Sequence, residues 1–384
     1  MRILHICVTG PYTDGFNYQE NMLTKYQVKA GHEVHVIASQ WEWSKDGKIK
    51  KHNGNLEYVN LDGVSVTRLS IVGNRDIFYR YKRFIGFYNS IEKINPDIIF
   101  VHNLQFFDIR EIVHYAKNYS VKIYADNHAD FSNSARNKLA VIFYKIVWRH
   151  MAHMIEPYTT KFYGVFPARV DFLKDIYKVP IEKCELLVMG ADDEEVCRAG
   201  KAENQKKVRD ELKIAREDFL IVTGGKIDEQ KSQTLMLMEA VKRIDNNKIK
   251  LLIFGSVSEG IKEEFDRNFD AFKMRYVSWA NRQQSYDYFA IADLIVFPGM
   301  HSVYWEQAVG QGKPMICKYF KGTNHVDIGG NVEFIDDDSV EHILSKINII
   351  VQDPEKYMRM KDVAAKKGMS IFSYKGIAER AIGR

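Results

Sequence analysis

Three groups of residues in this chain carry side chains suited to chemistry. The first is centred on Glu306, set between Trp305 and Gln307 in IADLIVFPGMHSVYWEQAVGQGKPMICK, residues 291–318. An apolar run from Leu294 to Phe297, a Pro298-Gly299 turn, a helix-compatible AVGQG and a second apolar run read as strand, loop, helix, turn, strand. A carboxylate in that loop-to-helix position is either an exposed helix residue or an acceptor for the vicinal hydroxyls of a ribose or sugar. The second group is Asp126, Asn127, His128 and Asp130, at the end of the strand-like VKIYA. His128 is suited to bind or polarise a hydroxyl or phosphate, and Asp126 or Asp130 to act as a base. The same spacing offers metal-ligand residue types, but alternating residues on one extended segment need a further ligand to close a site. Capping of the next helix by Asp130 or Ser132 accounts for one Asp and not for the cluster. The third group is the turn GGKIDEQKS, where Lys226 and Lys231 follow a Gly pair and flank a helix start. Two ammonium groups beside unpaired helix N–H groups make a pyrophosphate clamp; solvated lysines are the plain alternative.

The elements that must position these groups alternate between apolar runs and helical stretches. RILHICV (2–8) and EVHVIAS (33–39) bracket a helix ending near Gly31, the order of a parallel α/β unit. The first loop, TGPYTDGFNYQEN, offers Gly15 for a tight turn and Asn17 as a helix cap. Residues 41–63 read as an exposed hairpin, IIFVH as a buried strand, and residues 136–155 as one long helix with a basic-aromatic FYKIVWRH. After the charged stretch 192–217 the alternation restarts with FLIVTGG and KIKLLIFG. The expected architecture is α/β with two Rossmann-like domains, residues 1–195 and 217–365, joined by a linker at 196–216, with two cores and a cleft between them. The segment 75–88 repeats aromatic residues at helical spacing beside Arg75, Arg80, Lys82 and Arg83. That pattern suits packing into the core, or contact with an anionic membrane surface.

Composition removes several classes. No apolar run reaches the roughly 18 to 20 residues of a membrane span, and Met1 leads directly into a strand, so a cytoplasmic protein is expected. Cys7, Cys184, Cys197 and Cys317 lie far apart without metal-ligand spacing, which points to reduced, mostly buried thiols. A net charge of +5 over 384 residues suits an anionic ligand and does not call for nucleic acid. The absence of a G-x-G-x-x-G turn argues against a dinucleotide oxidoreductase.

Taken in order, these segments resemble the GT-B glycosyltransferases, in particular the retaining, nucleotide-sugar-dependent group called family four. GHEVHVIAS looks like that family's second strand, and Met189-Gly190-Ala191-Asp192 like the N-G-V-D segment that closes its first domain. Gly225 to Ser232 is similar to its diphosphate-gripping turn, and Glu306 to Pro314 to its E-A-x-x-x-G-x-P segment. The resemblance implies domains whose parallel sheets face each other across a cleft, and a final helix (366–384) crossing back to the first domain. It implies that His128 contacts the donor sugar, Gly15 opens the first loop, Lys226 and Lys231 hold the diphosphate, and Glu306 binds ribose. No cofactor or metal is implied beyond the nucleotide diphosphate sugar, and the acceptor would be a glycan or lipid-linked saccharide at the inner leaflet of a membrane. The chain departs from the family at Pro298, eight positions before Glu306, where the family carries a second Glu. His301, Ser302 and Val303 occupy this shortened loop and are expected to line the donor site. That departure leaves retention or inversion open, with Asp130 or His128 as base in the inverting case. It also leaves open a nucleotide-sugar 2-epimerase and a non-catalytic binding subunit.

Overall fold

In the computed structural model, residues 1–44, 48–73, 82–229 and 232–384 are described. The chain divides into two compact units, one of Met1–Val188 with Ile377–Arg384 and one of Met189–Gly376. Strands such as IIFVH and LIVF are buried at every residue, as strands covered on both faces of a parallel sheet must be.

In the first unit the strands are β1 (Arg2–Cys7), β2 (Glu33–Ser39), β3 (Trp41–Trp43), β4 (Ile49–Lys51), β5 (Glu57–Val59), β6 (Ser65–Leu69), β7 (Ile98–His102), β8 (Lys122–Asn127), β9 (Thr159–Gly164) and β10 (Cys184–Leu186). Eight of them form one sheet in the order β10-β9-β8-β7-β1-β2-β6-β5, parallel except for the β5–β6 pair. The expected hairpin is present as the antiparallel β3–β4 pair, with residues 45–47 outside the described residues. Strand order reverses between β1 and β7, so the crevice at their C-terminal ends is where an open α/β sheet accepts ligands.

The second unit repeats the device with β11 (Phe219–Gly224), β12 (Ile249–Phe254), β13 (Met274–Val277), β14 (Leu294–Phe297), β15 (Met315–Lys318) and β16 (Val332–Ile335). All pair in parallel in the order β13-β12-β11-β14-β15-β16, which reverses between β11 and β14. At Gly255, directly after β12, φ is +129° and a Cβ would lie 1.9 Å from the carbonyl oxygen of Gly225. Only glycine lets these two strand ends approach so closely.

Two expectations are corrected. Residues 196–216 are not a linker: helices Asp193–Ala199 and Ala202–Glu211 belong to the second unit, tied by Arg198 to Asp287 at 2.8 Å and Arg209 to Asp293 at 2.9 Å. These two arginines hold one face of the segment to the unit, while most of its other charges face solvent. The long helix expected at 136–155 is present without a break from 138 to 155, with a π-helical stretch Tyr144–Trp148 between Lys138–Phe143 and Arg149–Ile155. All four cysteines are free, but only Cys7 and Cys317 are buried.

Residues 74–81 of the basic-aromatic stretch lie outside the described residues; beyond them Phe84 and Phe87 sit in the core, while Ile85 is exposed. No helix among the described residues is long and apolar enough to cross a membrane.

Candidate functional site

In the second unit, the switch point between β11 and β14 opens into a cavity lined by Thr223, Gly224, Lys226, Pro298, Gly299 and Ser302. Thr234, in the first turn of helix Gln233–Arg243, lines it as well, and no side chain caps that helix start. Unpaired N–H groups there favour an anion. Lys226 pairs with Asp228 at 3.1 Å and remains largely exposed, so its ammonium can turn to a ligand.

After β14, the loop from Pro298 leads into helix Tyr304–Gly310, whose residues from Trp305 onward are buried. Glu306 is wholly buried. Its Oε1 accepts hydrogen bonds from His301 Nε2 at 2.9 Å and His325 Nε2 at 2.8 Å, while Oε2 has no hydrogen-bond partner among the described residues. Trp305 Nε1, also buried, is likewise without one. Burial pushes the Glu306 carboxyl up, but His301 and His325 outweigh it and hold the group well below the usual carboxylate range. The result is an ionised carboxylate with one oxygen taken by two histidines and the other without a hydrogen-bond partner among the described residues.

His325 stands in the short helix Asn324–Val326, beyond β15. Buried Asn331 secures that loop, accepting from Ile328 N at 2.7 Å and donating to Val326 O at 3.0 Å. His301 rests edge-on against Trp305, ring centroids 5.0 Å apart. Val303 is the backbone cap of helix Tyr304–Gly310, and Ser302 Oγ accepts weakly from Tyr304 N at 3.4 Å.

In the first unit, His128 follows β8. Its Nε2 lies 3.3 Å from Asp126 Oδ2, and its backbone N–H donates to Asn103 Oδ1 at 2.7 Å. Asp126, buried, also accepts from His102 Nδ1 at 2.8 Å and Asn103 N at 3.0 Å. The chain continues inward: His102 Nε2 meets His5 Nδ1 at 3.0 Å, and His5 Nε2 meets Gln27 Oε1 at 2.6 Å. Gln27 Nε2 donates to Ala378 O at 3.3 Å, which fixes the amide with its oxygen toward His5.

That orientation sets every proton. His5 carries its hydrogen on Nε2 and accepts at Nδ1, so His102 donates from both nitrogens and is an imidazolium against the Asp126 carboxylate. The electrostatics agree. Burial and neighbouring His102 lower the His5 pKa to about 3; burial pushes His102 down, but Asp126 and Cys7 carry it well above its ordinary value. Burial likewise raises the Asp126 carboxyl, and His128 and His102 more than reverse this. With Nε2 beside Asp126, the part-exposed His128 ring is oriented by a carboxylate and keeps Nδ1 as a base-type atom.

Asp130, expected as a base, is not free to act as one. Its Oδ1 accepts from Ser132 N at 2.7 Å, Ser132 Oγ at 2.5 Å and Asn133 N at 3.1 Å, and its Oδ2 pairs with Arg169 Nε at 3.1 Å. Burial raises its carboxyl, but Ser132 and Arg169 hold it low, so it fixes the turn after β8. Asn17 is not the helix cap either: the helix begins after Tyr18 with no side-chain cap. Gly15 does take the left-handed conformation, φ +76°.

Each three-residue cluster, His102–Asp126–His128 and His301–Glu306–His325, brings its ligand-type atoms within 4.8 Å of one another. The 2.8 and 2.9 Å contacts onto Glu306 have hydrogen-bond length, so an imidazole N–H on each contact accounts for the geometry without an ion.

Against known proteins, the model of Glycosyltransferase Family 4 matches residues 21–194. Over those residues the chain carries a domain of that family, and its fold is that of the GT-B glycosyltransferases. The structure is similar to a glycosyltransferase from Rickettsia africae, with a TM-score of 0.72, 13% identity, and 99% and 96% of the two chains covered. Anabaena HepE, crystallised with UDP-glucose, superposes with a TM-score of 0.67 at 11% identity, covering 99% and 98%. WaaG, a glycosyltransferase involved in lipopolysaccharide biosynthesis, gives 0.66 at 13%, covering 99% and 100%. No curated protein sequence is similar enough to match.

In the second unit the structure joins His301 to Glu306, and Lys226 with Ser302 around one cavity; Lys231 lies outside the described residues. Sequence reasoning missed His325, His102 and His5. Of these, His102 carried one usable signal, a histidine at the C-terminal end of an apolar strand.

Proposed function

We propose that this glycosyltransferase moves a sugar from a nucleotide diphosphate sugar to an acceptor hydroxyl. The observation that carries the reading is Glu306: a buried carboxylate with Oε1 taken by two histidines and Oε2 without a hydrogen-bond partner among the described residues, at the ligand-accepting switch point of the second unit. Such an oxygen suits a ribose hydroxyl. The anionic diphosphate would then lie by Lys226 and the start of helix Gln233–Arg243, where electrostatic stabilisation of the leaving group needs no resident metal. Lys231 is assigned to the same task by resemblance. In the first unit, unpartnered buried amide atoms of Asn17, Gln19 and Asn21 keep hydrogen-bonding capacity near Gly15. HepE's crystallisation with UDP-glucose supports a nucleotide-sugar donor here. The acceptor is read as a glycan or lipid-linked saccharide in surface polysaccharide synthesis, and the enzyme as cytoplasmic and peripheral on the inner face of the cell membrane.

Resemblance assigns retention of configuration. A second reading, inversion, is favoured by the Asp126–His128 pair, in which Nδ1 of His128 is poised to take the proton of an acceptor hydroxyl. A thermal-shift screen against UDP-, GDP-, dTDP- and CMP-sugars tests donor binding; a ligand at 100 times its Kd stabilises by about 2.7 kcal/mol. No shift with any of them would remove the reading. The anomeric configuration of the product, followed by NMR, separates retention from inversion.

A further inference from the structure

The first unit carries a helix that turns apolar side chains outward. In Lys138–Phe143 no residue is buried, and Leu139 is 80% exposed. Ile142 (52%), Phe143 (44%) and Ile146 (66%) follow at the three- and four-residue intervals that place side chains on one helical face. Val141, Tyr144 and Val147 pack against the core, and buried Ala135 and Trp148 anchor the two ends. The segment is thus apolar on two faces, and only one of them is used by the fold. Phe131, 53% exposed, lies just before it.

Charge identifies what the second face fits. From Phe131 to Ile155 there is no Asp or Glu, while Arg136, Lys138, Lys145 and Arg149 are all present. Lys138 and Lys145 are exposed beside the apolar stripe, and Arg136 is exposed at its start. A protein partner of mixed charge would leave this one-signed set unmatched. An anionic lipid surface matches both features, with acyl chains for the stripe and headgroups for the cations.

We infer that residues 136–149 dock this enzyme on an anionic bilayer, with Leu139, Ile142, Phe143 and Ile146 entering the headgroup–acyl boundary and Lys138 and Lys145 meeting lipid phosphates. The inference rests on the reading of a peripheral enzyme and gives that reading its contact surface, in place of the stretch 75–88.

The test is co-sedimentation of the full chain with vesicles of mixed phosphatidylglycerol and phosphatidylcholine, or of phosphatidylcholine alone, at about 0.15 M salt. Binding is expected on the anionic vesicles and only weakly on the neutral ones. Leu139→Glu with Ile146→Glu should lower the partition coefficient by about tenfold or more, and Lys138→Glu with Lys145→Glu by about tenfold on anionic vesicles only. Both pairs are solvent-exposed, so the thermal unfolding midpoint should hold, and equal midpoints make lost binding a surface effect. Absence of binding to anionic vesicles, or binding indifferent to Leu139→Glu/Ile146→Glu, would overturn the inference. So would a wild-type dimer that this double variant converts to monomer, since the stripe would then be a self-interface. Nucleotide-sugar thermal shifts are read on the same samples: shifts without vesicle binding sink the docking surface alone, and vesicle binding without shifts sinks the donor reading alone.

Discussion

The hydrogen-bond chain from Gln27 to Asp126 predicts how the stability of the first unit depends on pH. Because Gln27 Oε1 requires His5 to carry its hydrogen on Nε2, the His5–His102 pair holds one positive charge when folded, on His102. Unfolded, each histidine titrates near 6.5. Below that value the unfolded pair binds one more proton than the folded pair; above it, one fewer. His5, with its folded pKa lowered to about 3, contributes stability that is complete above 6.5 and lost as pH falls toward 3. His102, with its folded value raised, contributes stability complete below 6.5 and lost as pH rises through the raised value. The pair therefore gives a maximum near pH 6.5 with slopes of about 1.4 kcal/mol per pH unit on either side. Because the slope builds up from zero at pH 6.5, the loss from there to pH 5 is about 1.3 kcal/mol, or about 3–5 °C in Tm for a unit of this size. Asp126 and Glu306, held low, begin to cost stability only as pH falls through the ordinary carboxylate range near 4, which leaves this window to the histidines. The perturbation is His5→Gln, which removes the acid-side titration and keeps an amide at the position. Melting curves of wild type and variant between pH 5 and 8 should show the acid arm flattened and the alkaline arm retained. An unchanged slope between pH 6.5 and 5 would refute the proton assignment.

Other outcomes follow from the same contacts. His325→Asn removes one charge-assisted hydrogen bond from Glu306 and should weaken nucleotide-sugar binding about tenfold, read by calorimetry, with little effect on folding. His128→Asn should lower kcat by about a hundredfold while leaving the Tm near wild type. Asp130→Asn should do the reverse, costing roughly 2–3 kcal/mol of stability through the Arg169 pair and the turn while sparing kcat. If His301, Glu306 and His325 work through hydrogen bonds alone, chelator leaves activity unchanged; loss restored by a divalent ion would show that they hold a metal.

Much of the fold was legible because its strands are apolar throughout and its punctuation falls at strand ends. Runs such as IIFVH and FLIVTG declare strands buried on both faces, and Gly15 announced the left-handed turn it forms. The charged stretch 196–216 reads as a linker because a solvated helix face and a free linker have the same composition; Arg198 and Arg209, paired with Asp287 and Asp293, are what make it part of the second unit. Of the site, Glu306 and His128 stood out because each is ionisable at the C-terminal side of an apolar strand. His325 did not, because its partnership with Glu306 spans nineteen residues and depends on how the loop beyond β15 folds back. Asp130 was overread: in sequence nothing distinguishes a carboxylate offered to substrate from one consumed by Ser132, Asn133 and Arg169. His5 lies inside β1 and reads as an ordinary core residue until its neighbours are known.

The central claim is that Glu306 is the anchor for a nucleotide ribose. The most direct measurement compares the Kd of the best-binding nucleoside diphosphate with that of its 2′,3′-dideoxy form, for wild type and for Glu306→Gln, by calorimetry. Wild type should prefer the ribose form by about tenfold to a hundredfold, and the variant should lose most of that preference while its Tm without ligand shows that it is folded. Equal affinity of wild type for the two forms, or a preference that survives Glu306→Gln, would contradict the account.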